Sequence, residues 1–415
     1  MNVGLAPLRE REFRLLFLGR ATAILGNAIA PVALAFAVLD ITNSKTDLGL
    51  VLAARSLPQV AFMLIGGIWG DRLPRHHVMV ASDLLSGASQ AAVATLLILG
   101  EAQIWHLVVF AAINGTASAF FFPASQGIVP QTVPPALLQQ ANALLRLARN
   151  SMFIGGAALG GVLVAAFGSG TAIAIDSATF FVGAVFVAAM RIPATLRLES
   201  SNFLAELAAG WHGFRTRTWL WVIVLQFSLV NTMQAGSMAV LGPVVAKEEL
   251  GGARDWGLIA AALPIGMVVG GIVSLHFQPR RMLLTATLAI LLMPTVLIAL
   301  GFPLAVPLIM AAAFVAGFGI EIFGVLWDTT MQQQIPGEML SRLYAYDMVG
   351  SIALMPVGFA LAGPIAELLG VRATLWGAAA VVIAVTLPVF LVRDVRTLER
   401  TSAEPELPAA ATSTP

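Results

Sequence analysis

Three carboxylates, Glu321, Asp83 and Asp176, interrupt long apolar stretches of the sequence. If those stretches lie in lipid, each charge costs about 2.5 to 3.5 kcal/mol on insertion scales, so it indicates a partner or a function. Withdrawal from water favours the neutral form of a carboxyl group, which can then take up and release a proton. We therefore predict that Glu321 couples a proton to function, with Asp83 and Asp176 as alternatives.

Charge pairing is the competing interpretation of these groups. Glu321 could form a permanent ion pair with Arg20 or Arg149, and the other two carboxylates could be buried structural pairs. Conversely, Arg20, Arg146 and Arg149 either balance a carboxylate or attract an anionic substrate.

Uncharged polar side chains stand near the middle of the same stretches. They contact a substrate in a central cavity or hydrogen-bond between helices, and the sequence leaves both interpretations open. Together with two of the arginines, these uncharged residues make up the predicted substrate cavity: Arg20, Asn27, Asn114, Arg149, Gln226, Asn231 and Gln234.

The composition shows that lipid surrounds most of the chain. Of 415 residues 58% are hydrophobic and only 11% are charged, whereas soluble domains carry about 25% charged residues. The net charge of +1 gives no basic excess to neutralise phosphates, so no nucleic-acid partner is expected. The absence of cysteine excludes disulfides and thiolate chemistry.

Apolar runs separated by glycine and proline signals predict an all-α membrane protein with twelve transmembrane helices. The expected spans cover 13–39, 47–70, 78–99, 104–128, 139–167, 171–190, 219–246, 255–277, 282–300, 304–329, 340–369 and 372–392.

The distribution of cationic residues predicts the orientation. With both termini in the cytoplasm, Lys45, Lys247, Arg254 and Arg372 are the cations left in outer segments, and most others lie inside. We expect a multi-pass protein of the cell membrane. A cleaved signal peptide is the alternative for the first apolar run, which contains an A-x-A pattern at Ala35 but is longer than a signal core.

Composition divides the chain into four parts: a six-helix bundle at 1–190, a polar linker at 191–218, a second six-helix bundle at 219–393 and a disordered cytoplasmic tail at 394–415. In the linker Phe203, Leu207, Trp211 and Phe214 recur at helical spacing. They indicate an amphipathic helix that lies on the inner leaflet or packs on the bundle.

An internal repeat relates the two bundles. At one constant separation Pro134 aligns with Pro336, Gly156 with Gly358 and Gly161 with Gly363. A parallel repeat with an even number of spans per half predicts two pseudo-symmetric bundles with a substrate site between them near the midplane.

The sequence GGIWGDRLPR, which begins at Gly66, lies in the predicted inner loop between spans 2 and 3. Gly67 would let a helix approach closely, while Asp71, Arg72 and Arg75 could form ion pairs that hold the halves together on the cytoplasmic side. An ordinary positive-inside loop without a mechanical role is the alternative.

This loop resembles the signature GxxxDRxGRR of the major facilitator superfamily, with Gly67, Asp71, Arg72 and Arg75 matching and Pro74 replacing glycine. FFFPASQGIVPQTVP from Phe120 and LWDTTMQQQIPGEMLSR from Leu326 are similar to its twelve-span drug and siderophore exporters, which include enterobactin and macrolide efflux proteins. The resemblance implies that helices 1, 4, 7 and 10 line a central cavity.

Span 5 departs in part from the exporter motif GxxxGPxxGG. It keeps Gly156, Gly160 and Gly161, which we predict to pack helices, but has Ala157 where the motif has proline. Asn27 stands where many relatives have aspartate, so a protonatable group is missing from span 1.

No enzyme signature is present. The sequence lacks a Gly-Lys P-loop, an H-x-x-x-H zinc pair and a G-x-S-x-G elbow, so no cofactor or metal is expected. The prediction is a monomeric, proton-coupled exporter of a hydrophobic or amphipathic small molecule such as a drug, antibiotic or siderophore. An importer or lipid transporter of the same fold, and a non-transporting membrane sensor, are the alternatives.

Overall fold

The computed structural model describes residues 5–72, 74–192, 210–277, 279–302 and 304–399, with the side chains of 64–72, 337, 338 and 341 left out. Every regular element in these ranges is helical. We refer to residues 5–192 as the N-terminal half and to residues 210–399 as the C-terminal half.

The N-terminal half contains five long helical elements. They are α1 (Arg11–Thr42), α2 (Lys45–Arg72), α3 (Arg75–Leu99), α4 (Ile104–Gly127) and α5 (Leu138–Ala188). Element α5 is broken at Gly168, whose φ of 82° and ψ of 164° are not helical. Glycine adopts positive φ without a steric penalty, so the helix can break at this residue. The break falls between the predicted spans 5 and 6.

The C-terminal half is more interrupted. It contains α6 (Thr218–Gln234), a π-helical segment (Ala235–Leu241), α7 (Gly242–Glu249), α8 (Ala253–Ser274), α9 (Met282–Ile290), α10 (Pro294–Leu300), α11 (Val306–Gln334), α12 (Gly337–Ile352), α13 (Met355–Leu369), α14 (Val371–Thr386) and α15 (Arg393–Thr397).

Local signals explain the short turns between helices. Asn43, at φ 51°, ends α1 in the left-handed conformation, and Gly100 does the same for α3 with its N–H bonded to the carbonyls of Leu96 and Leu97. The next helix starts at once, because the side chains of Gln103 and His106 form a reciprocal capping box.

Ten helices of the described chain are long and apolar enough to cross a membrane. Helix α2 is not among them, and α5 counts once although it is broken at Gly168. The protein is therefore an all-helical, multi-pass membrane protein.

The apolar core is continuous at one end of the molecule and divided at the other. One cluster joins Leu39 and Leu48 of the N-terminal half to Val244, Trp256 and further residues of the C-terminal half. The other large clusters each belong to one half, around Phe13 and Met79 and around Leu220 and Trp327. We call these ends the Lys247 end and the Arg75 end, after a residue at each.

Part of the linker packs against the C-terminal half. Residues 210–215 are helical, and the rings of Trp211 and Phe214 lie 5.8 and 5.7 Å from that of Tyr346 on α12. These contacts favour packing on the bundle over a purely lipid-bound helix. Phe203 and Leu207 lie outside the described residues.

The expected disorder does not begin at residue 394. Residues Arg393–Thr397 form α15, and Val395 is fully buried in the core cluster of the C-terminal half. Because Val395 is buried, the first residues of the predicted tail pack against the C-terminal half. Residues 400–415 lie outside the described residues.

Candidate substrate cavity

At the Lys247 end polar contacts join the two halves. Lys247 Nζ lies 2.7 Å from Asp40 Oδ1 and donates to the Leu39 carbonyl oxygen at 2.7 Å. Lys45 Nζ lies 3.8 Å from Glu248 Oε1. The Thr46 hydroxyl donates to Glu367 Oε1 at 2.8 Å. Together with the continuous core, these contacts close this end.

Close helix approaches reinforce that closure. A Cβ added to Gly161 of α5 would lie 2.5 Å from the Ala253 carbonyl oxygen and 3.0 Å from the Gly257 Cα of α8. The contact between the halves is thus backbone against backbone. Gly156 and Gly160 meet α1 instead, where added Cβ atoms would lie 2.5 Å from the Ala28 Cβ and 3.1 Å from the Ile29 Cα.

An apolar cavity of about 700 Å³ lies between the halves. We call it the apolar chamber. Pro31 and Phe153 line it from the N-terminal half, and Met238, Trp256 and Met267 from the C-terminal half. Met238 belongs to the π-helical segment, a type of helix irregularity that often occurs at functional sites.

A second cavity, of about 470 Å³, lies within the N-terminal half. We call it the polar chamber. The described lining residues come from α1 to α5, and the charged ones among them are Arg20, Arg55, Asp83 and Arg149. Pro31, Arg149 and Phe153 line both chambers, so the two spaces adjoin.

Arg20 and Arg149 face the polar chamber with little compensation. Both line this one cavity, where their like charges repel each other. Arg20 donates one hydrogen bond of 3.3 Å to the Ser125 carbonyl oxygen. Neither arginine has a carboxylate within 4 Å among the described residues.

Arg55 is held by a polar network. Its guanidinium donates to Asn27 Oδ1 at 3.3 Å and attracts Asp176 electrostatically. Gln90 Nε2 donates to Asp176 Oδ2 at 2.6 Å, while Asp176 Oδ1 has no partner. Asp176 is fully buried, and its described partner is the Gln90 amide rather than a cation within 4 Å.

Asp83 differs from Asp176. It is only 2% exposed and lines the polar chamber, yet it forms no hydrogen bond or ion pair with the described residues. A structural ion pair therefore does not explain this carboxyl group.

Glu321 lies on α11 opposite α8, with its Cβ close to Gly270 and its carboxyl oxygen close to Gly271. Arg146 and Arg149 of the other half attract it electrostatically, but no described cation is within 4 Å. The permanent ion pair with Arg20 or Arg149 is absent in this conformation.

Two of the four remaining polar candidates form hydrogen bonds within one half. Gln226 Nε2 donates to the Thr386 hydroxyl at 3.0 Å, and Asn231 Nδ2 donates to the Ser351 carbonyl oxygen at 3.0 Å. Asn114 is buried with both polar atoms unpartnered, and Gln234 Oε1 is also unpartnered. None of these four lines either chamber.

Only part of the predicted cytoplasmic gate motif is described. The Arg75 guanidinium donates to the Gly127 carbonyl oxygen at the end of α4, so it ties α3 to α4 within the N-terminal half. The side chains of Gly67, Asp71 and Arg72 lie outside the described residues.

Sequence reasoning missed two features of the site. Phe153 and Trp256 are apolar wall residues that composition cannot distinguish from ordinary core. Asp328 interacts electrostatically with Glu321 and accepts a 3.2 Å hydrogen bond from the Tyr344 hydroxyl. Its spacing of two helical turns from Glu321 was a usable signal.

Comparison with known proteins also indicates a membrane transporter. A family model described as transmembrane secretion effector matches residues 2–412. The multidrug efflux pump Tap of Mycolicibacterium fortuitum is 26% identical over 91% of this chain and 93% of its own length. Macrolide efflux protein A of Streptococcus pyogenes is 22% identical over 94% of this chain and 97% of its own length.

A solved structure shares the fold. The nucleoside transporter NupG superposes with a TM-score of 0.72 at 11% identity, covering 91% of this chain and 98% of that chain. The family match over nearly the whole length, together with the apolar helices and the chamber between the halves, shows that this chain belongs to the transmembrane secretion effector family of the major facilitator superfamily and is a membrane transporter.

Proposed function

We propose that the chain exports a hydrophobic or amphipathic small molecule, such as a drug, antibiotic or siderophore, across the cell membrane. The apolar chamber between the halves carries this proposal, because a concave apolar space with few polar groups is typical of small-molecule sites. The efflux activities named for the two relatives support export over import.

The mechanism we propose is alternating access in two six-helix bundles. Twelve spans result if α2 crosses the membrane and α5 crosses twice, turning at Gly168. The Lys247 end would face outward and the Arg75 end the cytoplasm, as the positions of the arginines suggest. The contacts at the Lys247 end then close the outer side, and loading occurs from the cytoplasm.

Proton coupling through Glu321 is part of the proposal, with the termini in the cytoplasm and a monomer as the working unit. Support comes from Glu321 itself, a carboxylate on α11 that has no described cation within 4 Å and that Arg146 and Arg149 of the other half attract electrostatically. Its charge would change the attraction between the halves, so protonation would favour one access state over the other.

The test is uptake of a fluorescent amphipathic dye into inside-out vesicles that contain the full chain. Export in the cell corresponds to uptake in these vesicles, and we expect it to require a proton gradient. Uptake that persists after the gradient is collapsed would contradict proton coupling, while uptake only into right-side-out vesicles would contradict export.

A further inference from the structure

The polar chamber is electrostatically unbalanced. Arg20, Arg55 and Arg149 line it, whereas Asp83 is the one carboxyl group among the described lining residues. Arg55 is compensated by Asn27 and Asp176. Arg20 and Arg149 then share the chamber with Asp83, which lies within 4 Å of neither among the described ion pairs, and Glu321 attracts Arg149 from the other half without lying within 4 Å of it.

Arg20 is half-buried and Arg149 is exposed, and both line this one cavity. An anion that binds between them would offset the repulsion of their like charges. A guanidinium presents up to five N–H donors in a planar fork that matches carboxylate, sulfonate or phosphate oxygens. Arg20 uses a single hydrogen bond on the Ser125 carbonyl, and Arg149 forms none with the described residues. Among the described residues, N–H donors therefore remain without a partner on both arginines.

The position of Arg149 adds the second half of the argument. Arg149 and Phe153 line both chambers. A ligand with its charged group beside Arg149 can therefore place its body in the apolar chamber, against Trp256, Met238 and Leu263. The volume of about 700 Å³ is large enough for a body of several rings.

We propose that the transported substrate is an amphipathic organic anion whose anionic group binds between Arg20 and Arg149 while its apolar body fills the chamber between the halves. This inference rests on the proposed function, since it names the substrate class of that same site. It predicts that a neutral molecule with the same apolar body binds more weakly.

The experiment measures binding to the full chain in nanodiscs of zwitterionic lipid. The probes are 8-anilino-1-naphthalenesulfonate and N-phenyl-1-naphthylamine, which share one ring system and differ by the sulfonate. Both gain fluorescence in apolar surroundings, and the signal of empty nanodiscs is subtracted. We expect the sulfonate probe to bind about tenfold more tightly than the neutral probe, because its sulfonate accepts charge-assisted hydrogen bonds from the two arginines.

Variants locate the effect. Arg20→Gln and Arg149→Gln should each weaken the sulfonate probe about tenfold and change the neutral probe less than about twofold. Arg20→Lys should retain most of the preference, because it keeps the charge. Arg254→Gln removes an exposed arginine outside both chambers and should change neither probe. Ala260→Trp should reduce binding of both, because it fills the apolar chamber.

Equal affinity of the wild type for the two probes overturns the anion site without recourse to any variant. An unchanged ratio of the two affinities in Arg20→Gln and Arg149→Gln also overturns it, as expected if Glu321 rather than a ligand serves Arg149. No transport step enters this assay. Anion preference without dye flux would contradict the proposed function alone, and flux without anion preference would contradict the anion site alone.

Discussion

Lys247 Nζ on α7 contacts both Asp40 Oδ1 and the Leu39 carbonyl oxygen of α1, each at 2.7 Å. One ammonium group thus satisfies a side chain and the last turn of a helix in the other half. The Leu39 carbonyl oxygen also accepts a hydrogen bond from the Asn43 N–H, and a cation beside such a helix C-terminus is stabilising. This contact must break whenever the Lys247 end opens.

Removing this contact should favour opening of the Lys247 end. In Lys247→Met both interactions are lost, and we expect a two- to fivefold increase in the open population, because partly exposed ion pairs contribute about 0.2 to 1 kcal/mol. The readout is labelling of Ala239→Cys by a membrane-impermeant maleimide added only on the side of the Lys247 end; this substitution places a thiol in the apolar chamber of a chain that has no other cysteine. The matched control is Arg372→Gln, because the 3.0 Å ion pair of Arg372 with Glu249 joins residues of one half. Equal labelling of the two variants would contradict the assignment.

The glycine contact between α5 and α8 should tolerate no side chain. In Gly161→Ala the new Cβ would lie 2.5 Å from the Ala253 carbonyl oxygen, and overpacking of this kind costs about 1 to 3 kcal/mol. We expect a lower melting temperature and more labelling of Ala239→Cys. Gly155→Ala is the control, since a Cβ there meets no atom within 4 Å and alanine favours the helix. A Gly161→Ala protein as stable as Gly155→Ala would show that the halves do not touch there.

Glu321→Gln should separate binding from coupling. The variant keeps the size of the side chain but cannot change charge, so we expect normal dye binding and loss of proton-driven accumulation in inside-out vesicles. Asp83→Asn tests the unpaired carboxyl of the polar chamber in the same assay, and Glu101→Gln, at an exposed position, is the control. If Asp83→Asn alone abolishes accumulation, the coupling residue is Asp83 and the proposal for Glu321 is wrong.

Gln226 should prove to be a structural residue. Its hydrogen bond to Thr386 joins α6 to α14 away from both chambers, so Gln226→Leu should leave dye transport unchanged. Thr386→Val should lower the melting temperature more than Gln226→Leu does, because it leaves a buried amide without its partner, a loss of about 1 to 3 kcal/mol. A transport defect in Gln226→Leu at normal stability would instead indicate contact with the substrate.

The sequence predicted the helices better than the contacts of their side chains. Gly168, Gly100 and the prolines near 130–135 mark real breaks, because backbone geometry is local. Whether Asp176 or Asp83 has a partner depends on which helices meet. The side chain of Gln90 reaches Asp176 from a distant part of the chain, and no feature of spacing indicates it. The positions of Phe153 and Trp256 in the chamber wall could not be predicted from the sequence either, since an apolar residue gives the same sequence pattern whether it faces a cavity or the core.

The polar chamber belongs to the N-terminal half alone, while the apolar chamber is shared by both halves. If the halves move as rigid units, the walls around a group held between Arg20 and Arg149 stay the same, so, apart from its effect on the attraction between Arg149 and Glu321, it binds both access states equally and shifts no population. The apolar body alone experiences different walls in the two states. Head-group charge would then set which molecules are admitted, and the fit of the body would set how strongly a bound molecule drives the exchange of states.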